Sequence, residues 1–161
     1  TERVSPVAGA ELDWSTFRFR RSDIIPHAGG VKLDCSVLSG RGTVIPIDAV
    51  RKAGNIDDKH FPHYLSDYEF TYRLRSKGGV RLGIEYDAVI RTPLHHTDRS
   101  KGSRAPRSFI DKVSDLFSVR SKRYLPAHLR FIDKHAPPSK RLYLKWIFLK
   151  RNLKRVVRSK M

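Results

Sequence analysis

The residues best suited to chemistry in this 161-residue chain converge on one acid, Asp67. Ser66-Asp67-Tyr68-Glu69 fits the S-x-x-E pattern of a capping box: the Ser66 oxygen accepts the Glu69 N–H and the Glu69 carboxylate reaches back to the Ser66 N–H. The pattern predicts Asp67 in the first turn of a helix, where exposed N–H groups and the helix dipole favour an anion. An aromatic, His-rich loop with His60, Phe61, His63 and Tyr64 leads into it. Upstream, Ser39-Gly40-Arg41-Gly42 is a loop whose glycines let the backbone approach a ligand, and whose Arg41 can pair with a phosphate or carboxylate. A plain turn with a solvated arginine is the competing reading. Asp57, Asp58, His60 and His63 are metal-ligating types, but their spacings match no tight ligand pattern. Adjacent histidines such as His95 and His96 serve a surface or a core more often than one metal.

The elements that position these groups read as a mixed α and β chain. Alternation over 14–20 predicts a short extended piece, and Gly29-Gly30 a turn. Strands are expected over 31–38, 42–47, 80–84 and 88–91, and a short helix over 47–53 capped by Gly54. The Asp67 helix is expected to end at Gly78-Gly79, with Phe70 and Leu74 facing a core and Arg73 and Arg75 on other sides. For Asp67 itself, a first-turn acid that only stabilises its helix remains an alternative to a base. Cys35 has no internal disulfide partner and reads as a small buried residue in a reducing compartment.

Small-Gly-Arg-Gly, a short helix ending in Ala53-Gly54, Asp57-Asp58, an aromatic loop, Asp67-x-Glu69-Phe70, then Arg73-Leu74-Arg75 and Gly78-Gly79 follow one another over 38–91. This order resembles the C-terminal half of family 2 glycosyltransferases. The resemblance implies a GT-A fold in which this half binds the acceptor and carries an Asp, usually written Glu-Asp, that deprotonates the acceptor hydroxyl. Here the pair is Ser66-Asp67, so the Glu is absent while the Asp and Arg73 remain. By that resemblance Asp67 is the catalytic base, and Gly40, Arg41, Gly42, His63, Tyr64 and Ser66 are substrate contacts. His95 or His96 would be the third ligand of a divalent metal, Mg²⁺ or Mn²⁺, on the nucleotide diphosphate. The family's other metal ligands come from an Asp-x-Asp motif in the N-terminal half. No Asp-x-Asp occurs here, and no strand-loop-helix unit precedes residue 30, so a donor-binding half is expected upstream of a fragment or on a partner chain.

The fold expected is α/β: a partial GT-A-like mixed sheet with flanking helices over 1–100, the acceptor-side half, then a basic helical C-terminal extension over 101–161. The function expected is transfer of a sugar, with inversion, from a nucleotide-sugar donor to a hydroxyl on a glycan or lipid-linked acceptor of a cell-envelope polysaccharide.

Charge separates the two segments. Residues 1–100 hold 15 Lys/Arg against 13 Asp/Glu, whereas 101–161 hold 18 against 3, which points the second segment at an anionic partner. Helices are expected over about 107–120, 126–135 and 139–158. The last starts at Pro137-Pro138-Ser139 and shows a stripe of Leu142, Trp146, Leu149, Leu153 and Val156 among basic residues. A basic amphipathic helix of this kind suits the plane of an anionic membrane surface, giving a cytoplasmic protein peripheral to the inner face. A helix packed on the body with a solvated basic face is the alternative. Nucleic acid is the weaker partner, because no aromatic-studded strand or helix-turn-helix pattern accompanies the charge. No apolar run of 18 residues and no signal peptide is visible. The competing functional class is a non-enzymatic basic protein that binds a membrane or nucleic acid through 101–161.

Overall fold

A computed structural model describes residues 9–21, 30–88 and 108–157, and its first element is a hairpin turned by one acid. The Asp13 carboxylate accepts the Ser15 N–H, the Ser15 hydroxyl and the Thr16 hydroxyl, closing a turn that ends in Phe17 with φ 49°. Strands β1 (Gly9–Asp13) and β2 (Arg18–Arg21) therefore pair antiparallel, with Leu12 opposite Phe19, where a single extended piece was expected. β1 also pairs antiparallel with a short later strand, β4 (Val37–Leu38), giving the order β2-β1-β4. The expected strand over 31–38 is split: β3 (Val31–Leu33) pairs with β5 (Gly83–Glu85), and Asp34 then takes a left-handed conformation, φ 69°. Its carboxylate grips the Arg81 guanidinium at 3.0 and 2.7 Å, which holds the break open. The pairings among the described strands are all antiparallel, so the mixed sheet expected is not seen among the described residues. Mixed α and β character at the coarse level holds.

No strand forms over 42–47. After Gly42 the chain runs as coil to Pro46, which caps α1 (Ile47–Ala53), and Gly54 ends that helix at φ 79°, a value that favours glycine. α2 (Ser66–Gly78) carries Asp67 and ends at left-handed Gly79, as the sequence predicts. Phe70 and Leu74 of α2 pack with Ala49 of α1. Buried Cys35 packs with Leu38, Leu82 and Ile84 beneath the strands.

The basic segment does not stand apart from this body. α3 (Phe109–Phe117), α4 (Leu125–His135) and α5 (Arg141–Val157) lie close to the expected ranges, a 3₁₀ turn at Pro138–Lys140 leading into α5. Phe131 of α4 is fully buried, with ring centroids of Trp14, Phe17, Phe19, Phe61 and Tyr72 within 5.6 to 6.4 Å. Leu144 and Phe148 of α5 complete the same core. Each fully buried aromatic or leucine of this kind contributes about 1.5–3 kcal/mol. Arg151 of α5 donates to the carbonyls of Thr16 and Phe17 at 3.2 and 3.1 Å, tying the helix to the hairpin turn. Residues on both sides of the boundary expected near 100 thus share one core.

The α5 face that does this packing is Leu144, Phe148, Asn152 and Val156. Of the stripe expected from the sequence, Leu142, Trp146, Leu149 and Leu153 are exposed and only Val156 is buried. No described helix is long and apolar enough to cross a membrane. The strand expected over 88–91 beyond its first residue, the end of the helix expected to 158, and His95 and His96 lie outside the described residues.

Candidate active site

Asp67 sits where the sequence puts it, in the first turn of α2, but a different device starts the helix. The capping box is absent. Ser66 is the first helical residue, preceded by Leu65 in a left-handed conformation, φ 71°, and the Ser66 hydroxyl donates to the His63 carbonyl at 2.8 Å. The Glu69 N–H goes to the Leu65 carbonyl at 2.8 Å. Its carboxylate has been drawn inward by long-range partners, which a local capping pattern cannot anticipate.

The Ser39-Gly40-Arg41-Gly42 loop and the Asp67 helix meet directly. One Asp67 oxygen accepts the Gly40 N–H at 2.9 Å and the other accepts the Tyr68 N–H at 2.9 Å. A Cβ added to Gly40 would stand 3.5 Å from the Asp67 Cβ, an ordinary contact distance, so the loop backbone and the acid lie side by side there. Behind this contact, buried Thr71 accepts the Leu38 N–H at 3.0 Å and donates to the Asp67 carbonyl at 2.8 Å, stapling α2 to β4. The Thr43 hydroxyl donates to the Ser39 carbonyl at 2.5 Å and closes the loop. A carboxylate offers about four acceptor positions, so two backbone donors fix the Asp67 side chain and leave capacity for a substrate hydroxyl. Arg41 and Gly42 are exposed beside it. His63 is exposed with its ring 4.6 Å from that of Tyr64, and the Lys122 ammonium of the α3–α4 connection lies 5.9 Å from the Tyr64 ring. Gly40 and Ser66 are thereby joined to Asp67 through hydrogen bonds or chain, and His63 through Ser66. An open cleft lined by Leu38, Thr43, Ile45, Thr71, Arg81 and Leu82 lies on the strand side of α2, and Asp67 does not line it.

What holds α2 rigid is a buried ionic cluster that the sequence reading missed. Arg73, expected on an outer side, is buried, and its guanidinium uses every donor. It grips both Glu69 oxygens at 3.1 Å and donates to the carbonyls of Ala53, Gly54 and Asn55, the last two at 3.0 and 2.8 Å. The three carbonyls at the end of α1 are thus satisfied by α2. Glu69 also meets Lys134 at 2.8 Å and His135 at 3.0 Å, both on α4. Burial works against the Glu69 charge, but His135, Arg73 and Lys134 outweigh it and hold the carboxyl well below the usual range. The Glu69–Arg73 spacing of four was the available sequence signal.

Asp57 extends the cluster into the aromatic loop. Its carboxylate receives Lys134 at 2.9 Å and the His60 ring at 2.8 Å, while Phe61 packs under the loop in the main core. Burial opposes ionisation of Asp57 too, yet the Lys134 and His60 contacts bring it down to about 2. Asp57 therefore pairs with Lys134 and hydrogen-bonds the His60 ring, anchoring the loop to α4. Among the described residues no three His, Cys, Asp or Glu side chains are grouped to hold a metal. His95 and His96, to which the family resemblance assigns a ligand of the divalent ion, lie outside the described residues.

No family model, no curated protein and no solved structure matches this chain.

Proposed function

We propose that this chain is the acceptor-binding, base-carrying part of an inverting glycosyltransferase, with Asp67 as the base. The observation that carries the reading is the Gly40 N–H to Asp67 contact, which joins the two motif segments of the resemblance around one fixed carboxylate. An acceptor hydroxyl placed against a free Asp67 lone pair would give up its proton as its oxygen attacks the anomeric carbon. The carbon–oxygen bond to the nucleotide diphosphate breaks, the diphosphate leaves with the electron pair, and the anomeric centre inverts. Positioning is the larger part of what the described residues offer: Thr71, Gly40 and the Glu69–Arg73 cluster fix the helix mouth, so the base need not be found by rotamer search. Exposed Arg41 and His63, with half-buried Tyr64 and Ser66, are the groups nearest in chain to meet a glycan or lipid-linked acceptor. The donor nucleotide sugar would be held by a separate half. If a divalent ion takes part, it neutralises the leaving diphosphate, and this reading routes no step of the described residues through it.

The test joins this chain to a donor-binding half, screens nucleotide sugars for turnover, and then compares Asp67→Asn. General-base catalysis contributes about 10²–10⁴, so the variant should lose at least about 10² in kcat with an unchanged circular dichroism spectrum. Full activity in Asp67→Asn would remove Asp67 from the mechanism.

A further inference from the structure

α5 is apolar on two sides, and only one of them is used. Leu144, Phe148 and Val156 enter the core, while Leu142, Trp146, Leu149, Leu153 and Val157 on the opposite side are 83%, 54%, 43%, 64% and 54% exposed. α3, which packs against α5, has no buried residue, and its Phe109, Ile110 and Phe117 are exposed. Isolated surface leucines are ordinary, but eight large apolar side chains on two touching helices form a surface that a partner would cover.

The charge around the α5 side chains selects the partner, whereas α3 carries Asp111 and Asp115 against Lys112 and joins the surface through its apolar side chains alone. No acidic residue follows Asp133 in the chain. Lys150, Lys154 and Arg155 are exposed on α5, and the Lys150 ammonium sits 4.4 Å from the Trp146 ring, which stacks with Tyr143 at 6.4 Å. A protein-binding face is depleted in lysine at its centre. Cationic side chains interleaved with Trp, Tyr and leucine instead match the boundary between acyl chains and anionic headgroups, where the aromatic body is buried and the ammonium reaches phosphate.

We infer that the exposed faces of α3 and α5 form a single docking surface for an anionic lipid bilayer, with both helices lying in the plane of the interface. The inference stands independently of any transferase activity. It extends the surface to α3, which the sequence alone does not single out, and it assigns the outer stripe of α5 to lipid while the inner face holds the fold.

Cosedimentation of the full chain with vesicles of phosphatidylcholine alone, or with 30% phosphatidylglycerol, tests it. The expected result is binding to the anionic vesicles and little to the neutral ones, with high salt weakening the binding without abolishing it. Trp146→Glu with Leu149→Glu removes apolar transfer and adds two repelled charges, and should weaken binding about a hundredfold. Both positions are exposed, so the fold is expected to survive, and a circular dichroism melt verifies that. Phe109→Glu with Ile110→Glu reads the α3 half in the same way. Three results would overturn the inference: no binding to anionic vesicles, binding undiminished in a folded double variant, or a dimer of the intact chain that the double variant dissolves. Binding to RNA that falls steeply with salt and ignores the α5 stripe, without vesicle binding, would likewise overturn it in favour of nucleic acid.

Discussion

Glu69→Gln tests how the Asp67 helix is held. The Glu69 carboxylate is 0% exposed and faces only donors: the Arg73 fork at 3.1 Å, Lys134 at 2.8 Å and His135 at 3.0 Å. Glutamine has nearly the same shape, so the change removes charge without making a cavity, and it brings an amide NH₂ against Arg73 and Lys134, which can only donate. Removing one partner of a buried pair costs about 3–5 kcal/mol, because the other charge stays buried and uncompensated. Lys134 is 26% exposed and keeps Asp57, which places the expectation near the low end, about 3 kcal/mol. Against a typical domain stability of about 5–15 kcal/mol that is a large fraction. The pH dependence supplies a second signature. Because the folded Glu69 carboxyl titrates well below its ordinary value of 4.5, its stabilisation is complete above that value and is lost as pH falls toward the folded one. The deficit of Glu69→Gln should therefore be full at pH 7 and narrow below about pH 4.5 by up to 1.4 kcal/mol per pH unit. Urea unfolding followed by far-ultraviolet circular dichroism at pH 7, 4.5 and 3 measures both. A deficit under about 1 kcal/mol at pH 7, or one that stays constant down to pH 3, would refute the reasoning.

Two further outcomes follow from other residues. Burial pushes the His128 imidazole, stacked on Phe148 at 4.6 Å, down to about 4. The unfolded chain thus binds a proton that the folded one refuses, and stability should fall by up to about 3 kcal/mol as pH drops from 6.5 to 4. His128→Gln should flatten that part of the stability profile, and an unchanged slope would assign it to other groups. If His95 or His96 completes a divalent site in the joined enzyme, its Ala variant should need more Mn²⁺ or Mg²⁺ for half-maximal turnover; an unchanged metal titration in both variants would remove them from the site.

Local punctuation was readable in the chain, and long-range chemistry was not. Gly54, Gly78-Gly79 and Pro137-Pro138 mark helix ends by their own backbone preferences, so α1, α2 and α5 appear near their expected positions. The capping box failed because Glu69 has better partners in Lys134 and His135, more than sixty residues away. The β1–β2 hairpin was hidden because its turn relies on the Asp13 carboxylate and a left-handed phenylalanine, neither of which carries a Gly or Pro signal. α5 misled for another reason. Periodicity finds an apolar stripe but cannot say whether protein or solvent lies against it, and the core face contains Asn152, whose amide is satisfied by the Phe148 carbonyl at 2.9 Å. At the candidate site, the first-turn position of Asp67 was legible from its spacing, whereas its direct contact with Gly40 depends on Thr71 docking α2 on β4.

α4 is the element through which these parts become one object. One part of its surface carries Lys134 and His135 to Glu69 and Asp57, fixing the Asp67 helix and the aromatic loop. Another presents Phe131 and His128 to Phe17 and Phe148, where α5 closes the core. Deleting 139–161 would consequently uncover Phe17, Phe131 and His128 and remove the Arg151 tie to the hairpin carbonyls, so such a truncation would damage the helix that carries Asp67 along with any lipid-facing stripe. Exposed positions avoid that coupling. Trp146 and Leu149 can lose their apolar character while Leu144, Phe148 and Asn152 keep the helix in place, and for that reason substitutions on the outer face of α5, rather than its removal, separate attachment to a surface from the integrity of the site.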